Sequence, residues 1–149
     1  MTLAEMLHRI VEERGEILAR ANVELVVEAP GDVPIEPSEG TSASIGHLVD
    51  RAIERLSRQR DRRLRISGRA CGTTAVVEIE YPVREVSAPH APAVHDAFHS
   101  GGDYECFGLL DGRALLAGCG CGGRAYLGSA TGSSVRLVVE LPIPLASGS

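Results

Sequence analysis

Aromatic side chains are scarce in this chain of 149 residues: Phe, Trp and Tyr together make up 3%, and Trp is absent. Proteins that bind single-stranded nucleic acid usually stack the bases on exposed aromatic rings. The composition therefore argues against a nucleic-acid partner. It also requires the core to be built from Leu, Val, Ile and Ala, and an apolar content of 44% is sufficient for that.

The sequence also lacks an apolar run long enough to span a membrane, and its first residues lack the apolar centre of a signal peptide. We therefore expect a cytoplasmic protein that does not insert into membranes. Thiols stay reduced in that compartment, so the cysteines are expected to be free: Cys71, Cys106, Cys119 and Cys121.

The length fits one domain with one core, so residues 1–149 are predicted to form a single unit. The net charge is −5, yet positive charge clusters between Arg51 and Arg69. We favour the interpretation that these arginines are the solvated end of a helix and the start of a strand. The alternative is a docking patch for an acidic partner or a phosphate, with contacts from Arg55, Arg58 and Arg62.

Hydrophobic periodicity predicts three helices and five strands. The helices are expected at about 3–20, 42–58 and 107–117, and the strands at about 23–28, 64–69, 75–80, 124–128 and 135–141. A long irregular stretch lies between residues 82 and 102. This order predicts an α+β fold: a two-layer sandwich whose mixed, mostly antiparallel sheet carries three helices on one face.

Three segments resemble the catalytic ATP-binding domain of sensor histidine kinases, a branch of the Bergerat-fold ATPases. Thr2-Leu-Ala-Glu-Met-Leu7 is similar to the opening helix of that domain, and Ile45-Gly-His-Leu-Val-Asp-Arg-Ala-Ile-Glu54 is similar to its N-box helix. The segment from Gly122 to Pro142 resembles its closing hairpin. The resemblance covers nearly the whole chain and implies the family fold, with residues 82–106 in the place of the ATP lid.

The positions that bind Mg-ATP in the family are altered here. The resemblance places Arg51 where an N-box Asn holds the metal, and a guanidinium has no lone pair for a cation. Tyr81 falls on the Asp that binds adenine. Side chains also replace or flank the family's glycines, at Val83 and Glu85 in the first glycine box and at Cys106 beside Gly108 in the second. His47 lies on the same polar helix face as Arg51.

These changes predict that no cofactor is bound and that the domain works by binding a protein of a two-component pathway. The resemblance implies two kinds of partner, either the dimerisation hairpin of a kinase or the receiver domain of a response regulator. A pocket once shaped for the nucleotide is then expected to be filled by Tyr81, Val83 and Phe107.

Two other hypotheses remain open. In the first, the domain is a divergent ATP-binding domain in which Arg51 holds phosphates and Asp50 supplies a ligand to magnesium. In the second, the protein is a metal or redox sensor that uses imidazole and thiolate groups. The candidate ligands for that role are His95, His99, Cys106, Cys119 and Cys121.

Overall fold

The computed structural model describes residues 1–36, 38–83, 109–119, 122–130 and 134–144. Helices and strands follow one another in the order α1 (Leu3–Glu13), α2 (Gly15–Arg20), β1 (Glu24–Glu28), α3 (Glu39–Leu56), β2 (Arg63–Cys71), β3 (Thr74–Pro82), α4 (Leu109–Cys119), β4 (Arg124–Ala130) and β5 (Ser134–Pro142). No helix in the described part of the chain is long and apolar enough to cross a membrane.

The five strands form one sheet in the order β1-β2-β3-β5-β4. β1 and β2 run parallel, and the other three pairs are antiparallel. The predicted two-layer α+β sandwich with a mixed, mostly antiparallel sheet is therefore confirmed. The strands extend one or two residues beyond most of the predicted ends, because ladder pairing continues past the apolar positions that define each strand in the sequence.

One hydrophobic cluster joins the helices to the inner face of the sheet. Alternate residues of the strands point to this face because side chains alternate along an extended chain. The largest completely buried members come from α1, α3, β2 and β3: Leu3, Met6, Leu7, Ile45, Leu48, Leu56, Leu64, Ile66, Ile79 and Tyr81. Burying such side chains stabilises the fold by about 1.5–3 kcal/mol each.

The first predicted helix is broken, so four helices are described instead of three. The prediction of a single helix over residues 3–20 was wrong, because the backbone leaves helical geometry at Arg14, where φ is −109° and ψ is 11°. Gly15 then begins α2. The side chain of Arg14 stabilises the break: its guanidinium donates to the carbonyl of Ile10 in α1 at 3.0 Å and to the carboxylate of Asp50 on α3.

Helix α3 begins at Glu39 rather than near Ser42, because Ser38 supplies an N-terminal cap. Its hydroxyl accepts a hydrogen bond from the backbone N–H of Thr41. A capping hydroxyl satisfies an N–H group that has no partner within the helix. The same chemistry starts α1, where Thr2 and Glu5 form the predicted capping box.

The outer face of the sheet carries ion pairs that run across the strands. Glu28 on β1 pairs with Arg65 on β2, and Arg69 on β2 pairs with Glu78 on β3. At the opposite edge, the Glu140 carboxylate on β5 accepts hydrogen bonds from Arg124 and Tyr126, both on β4. Alternation along each strand therefore separates a charged outer face from the buried inner one.

We expect the pair made by Glu140 to make stability depend on pH. The hydrogen bond from Arg124, followed by that from Tyr126, lowers the pKa of Glu140. A lowered carboxyl pKa stabilises the fold above the unfolded-state value of about 4.3, and the contribution disappears as the pH falls through the lower folded-state value. Chemical denaturation of E140Q should show a free energy of unfolding below wild type by up to about 1 kcal/mol at pH 7, with the difference closing in acid. E80Q is the control, since Glu80 lies on the same face without an ion pair among the described residues. If the difference in unfolding free energy between E140Q and wild type stayed the same at acidic pH, the stabilising role of the Glu140 carboxylate would be contradicted.

Candidate functional site

The polar side of α3 is the part of the predicted site that the structure describes best. His47, Arg51 and Arg55 are spaced by four residues, so they lie along one side of the helix. A neighbouring residue on that side, Ser44, donates a hydrogen bond of 2.7 Å to the carbonyl of Gly112 on α4. The three side chains therefore follow the border between α3 and α4.

Arg51 is oriented by a carboxylate of its own helix. Its Nη1 lies 3.3 Å from Glu54 Oε2, and 35% of the side chain is exposed. The Nε atom is buried and has no hydrogen-bond partner among the residues that the structure describes. The position that the resemblance assigns to a metal ligand thus holds a fixed positive charge.

Asp50 faces away from this side and is held by Arg14. Arg14 Nε and Nη2 contact the two carboxylate oxygens at 2.6 and 3.2 Å, a bidentate arrangement. Gly46 makes room for it, because a Cβ at that position would lie 2.5 Å from Arg14 Nη2. To serve as a metal ligand, Asp50 would have to give up its ion pair with Arg14. Sequence reasoning missed Arg14, and no local signal indicates a partner 36 residues away.

Tyr81 and Val83 lie at the end of β3, on the side of the sheet that the helices cover. Each side chain is 1% exposed, and both belong to the core cluster. Tyr81 pairs in register with Val135 of β5. The aromatic ring therefore occupies space between the sheet and the helices, at the position that the resemblance gives to the adenine-binding Asp.

Gln59 fixes the same strand end and was not predicted. It is 5% exposed, and its Nε2 donates to the carbonyls of Asp61 at 2.9 Å and Pro82 at 2.6 Å. The end of β3 is thereby attached to the segment that follows α3. A glutamine in a turn gives no sequence signal for such a contact, since its acceptor lies 23 residues further along the chain.

The three predicted partner contacts have different environments. Arg58 is 70% exposed and pairs with Glu54 at 3.4 Å, and Arg55 is half-buried. Arg62 uses its guanidinium within the fold: Nε, Nη1 and Nη2 donate to the carbonyls of Gln59, Ala21 and Ser57. The arginines thus do not form one continuous patch, because several have carboxylate or carbonyl partners close by.

The remaining predicted site residues lie outside the described part of the chain. They include Glu85, His95, His99, Cys106, Phe107, Gly108 and Cys121, together with most of residues 82–106. The side chain of Cys119, at the end of α4, is likewise outside it. Within the described residues, no group of three or more His, Cys, Asp or Glu side chains is arranged to hold a metal ion. The metal and redox hypothesis stays a prediction.

Comparison with solved structures assigns the architecture. The catalytic domain of the histidine kinase ThkA, in a nucleotide-free form, superposes with a TM-score of 0.72 over 96% of this chain and 93% of its own, at 17% sequence identity. The chain has the fold of a histidine-kinase catalytic domain. The fold resemblance read from the sequence is therefore confirmed.

Two larger histidine-kinase structures contain the same fold. ThkA in complex with the response regulator TrrA matches with a TM-score of 0.70 and 17% identity, covering 97% of this chain and 41% of that one. Full-length ShkA in complex with AMPPNP matches with a TM-score of 0.68 and 14% identity, covering 98% and 31%. No family model matches this sequence, and no curated protein does. At these identities, the histidine-kinase likeness concerns the fold.

Proposed function

We propose that this domain serves two-component signalling by binding a protein partner, and that it does not turn over Mg-ATP. The observation that carries the proposal is the charge at position 51. Arg51 lies on α3, where the histidine-kinase resemblance requires an oxygen ligand for magnesium, and it is paired with Glu54. A guanidinium donates hydrogen bonds only and repels a divalent cation, so magnesium has no ligand there.

The burial of Tyr81 supports the same conclusion from another element. The Asp that the family uses to recognise adenine needs an open space beside it. Here a tyrosine that is 1% exposed occupies the end of β3 and forms part of the core. A ring cannot be displaced from such a position without loss of packing free energy. Two elements that make different contacts with a nucleotide are thus altered together.

A protein of a two-component pathway is the partner that we propose, and a cytoplasmic location follows from that role. Support comes from ThkA, which has been solved in complex with a response regulator. The candidate contacts are Arg55 and the exposed Arg58, near the C-terminal end of α3. Their positive charge suits the acidic surface of a receiver domain, or a kinase dimerisation hairpin with acidic residues.

The test is a thermal melt with and without Mg-ATP. A ligand present at 100 times its dissociation constant stabilises by about 2.7 kcal/mol, which for a chain of this size raises the melting temperature by roughly 5–10 °C. We expect no shift for the wild-type protein at millimolar Mg-ATP. A saturable, magnesium-dependent shift that R51A abolishes would refute the proposal.

Metal-independent ATP binding is the second candidate function, and the side chains of His47, Arg51 and Arg55 favour it. The guanidinium groups of Arg51 and Arg55 suit the phosphates of a nucleotide, and an imidazole at His47 adds a polar contact on the same side of α3. Titration calorimetry separates this candidate from the first: ATP binding of equal affinity with magnesium and with EDTA, weakened by R51A, would establish it. Binding of an isolated receiver domain in the absence of nucleotide supports the first.

A further inference from the structure

We infer that the free edge of β1 is a docking site for an extended, basic segment of a partner protein, which adds a strand to the sheet. The inference rests on the proposed protein-binding role and names the surface and the chemistry of the partner. Four observations carry it: a strand edge that no described strand pairs with, a groove on the outer face that begins at β1, an exposed apolar residue on that face, and more carboxylates than guanidinium groups around it.

The backbone groups that face the free side of β1 can be identified from its pairing with β2. β1 is the end strand of the sheet, and no described strand pairs with it on the side away from β2. The N–H of Glu24 points toward β2, where it donates to the carbonyl of Arg62 at 2.8 Å. The N–H and carbonyl of one residue point to the same edge of a strand and those of the next residue to the other edge, so the N–H and carbonyl groups of Leu25 and Val27 face the free side. An added strand forms its hydrogen bonds with these two residues.

The opposite edge of the sheet is protected in a way that β1 is not. β4 pairs with β5 through a register shift between Leu127 and Ser129. Such irregularities twist an edge and discourage further pairing. β1 pairs with β2 in continuous register from Glu24 to Glu28. Of the two edges, β1 is the one built to accept a strand.

A groove of about 710 Å³ opens beside β1 on the outer face of the sheet. It reaches from Glu24 and Val26 across Arg65 and Glu80 to Pro82. Val26 is 50% exposed, an unusual position for a valine in the middle of a strand. The groove lies over β1, β2 and β3, so an added strand reaches it with long side chains of its outer face that lean across Val26.

The charges around the groove select a basic segment. Arg63 is paired with Asp61, and Arg65 with Glu28, so both cations already have partners. Glu24 and Glu80 make no ion pair among the described residues, although Glu24 lies in register with Arg63 and Glu80 with Arg65. The groove lining holds more carboxylates than guanidinium groups: Glu24, Asp61 and Glu80 against Arg63 and Arg65. A strand with Lys or Arg on either side of an apolar residue matches Glu24, Val26 and Glu28 in order, and the cation opposite Glu28 shares that carboxylate with Arg65.

The same charges disfavour a second copy of this chain as the occupant when two β1 strands pair about Val26. If two β1 strands paired antiparallel about Val26, Glu24 of one copy would lie opposite Glu28 of the other. Like charges directly opposite one another destabilise a strand pair. The carboxylates on β1 therefore repel a second β1 strand in this register and attract a basic partner.

The probe is the peptide Thr-Lys-Thr-Val-Thr-Lys-Thr, acetylated and amidated, titrated into the ¹⁵N-labelled full chain and followed by NMR. We expect the amide protons of Leu25 and Val27 to become protected from exchange, with chemical-shift changes concentrated on β1 and β2. The peptide with Glu in place of both Lys should bind at least roughly tenfold more weakly. A Lys peptide N-methylated on the edge-facing amides should not bind.

V26K tests the surface on the protein side and should weaken the Lys peptide by roughly tenfold or more, since it adds a like charge within the groove. I17K is the matched control: Ile17 lies on α2 and is 49% exposed, so it receives the same substitution at the same exposure away from β1.

Unchanged exchange of Leu25 and Val27 at millimolar peptide would overturn the inference, as would equal weakening by V26K and I17K. A wild-type dimer that V26K dissociates would overturn it in favour of self-pairing. Failure here leaves the melts with Mg-ATP unaffected, so the two proposals fail separately.

Discussion

Y81A is expected to lower the free energy of unfolding by about 3–5 kcal/mol, the range typical for removing a buried aromatic ring. Tyr81 is 1% exposed and stands in the core cluster between the end of β3 and the helices. Its neighbours include Val83 along the chain and Val135 across the ladder. A cavity of ring size at this position cannot close, because the flanking strands are fixed by continuous pairing. The measurement is urea denaturation followed by circular dichroism.

Y126A is the matched control, since it removes the same side chain from the outer face of the sheet. Tyr126 is half-buried, donates a hydrogen bond to Glu140, and lies beneath the guanidinium of Arg124, 5.2 Å from its ring centroid. Losing these contacts should cost about 1 kcal/mol. If the two alanine variants were equally stable, the ring of Tyr81 would not be filling the interior, and the proposed loss of an adenine site would be contradicted.

R62A is expected to destabilise the protein by about 2–4 kcal/mol, because one guanidinium serves three backbone carbonyls. Nε bonds Gln59 at 2.7 Å, Nη1 bonds Ala21 at 2.7 Å, and Nη2 bonds Ser57 at 3.1 Å. Ala21 and Ser57 are the C-terminal caps of α2 and α3, where carbonyl groups lack partners within the helix. A cation at these ends also interacts favourably with the helix dipoles. Denaturation curves for the variant measure the loss directly.

R62K should recover only part of the stability, because an ammonium group cannot reproduce the planar fork of three N–H directions. R58A is the control from the same arginine-rich segment. Arg58 is 70% exposed and makes an ion pair with Glu54, so its removal should change the free energy of unfolding by no more than about 0.5 kcal/mol. Similar small losses for R62A and R58A would contradict a structural role for Arg62. The outcome also decides how partner-binding data on R62A are read, since a destabilised variant loses binding indirectly.

The sequence located most helices and strands because their apolar periodicity is local. α3 shows this well: Ile45, Leu48, Val49 and Ala52 recur at helical spacing and are all buried. The alternating residues of β2 and β3 gave the hairpin in the same way. Boundaries were less accurate, since Ser38 caps α3 earlier than the apolar pattern begins.

The candidate site residues stay a prediction, and their environments could not be read from the sequence. Motif spacing placed Arg51 on the polar side of α3, and the structure shows it there. The partners of nearby polar residues were not predictable, as Arg14 with Asp50 and Gln59 with Pro82 illustrate. A hydrogen bond between residues far apart in the chain leaves no periodic trace in either segment.

The sequence by itself determined the order of most helices and strands, the layered fold, and the presence of a fixed positive charge at position 51. Each of these depends on residue type and local spacing, which are read directly from the chain. Only the tertiary structure decided that the first helix breaks at Arg14, that Tyr81 is enclosed in the core, and that Arg62 caps two helices. These features depend on which segments meet in space, and that is fixed by long-range packing and hydrogen bonding.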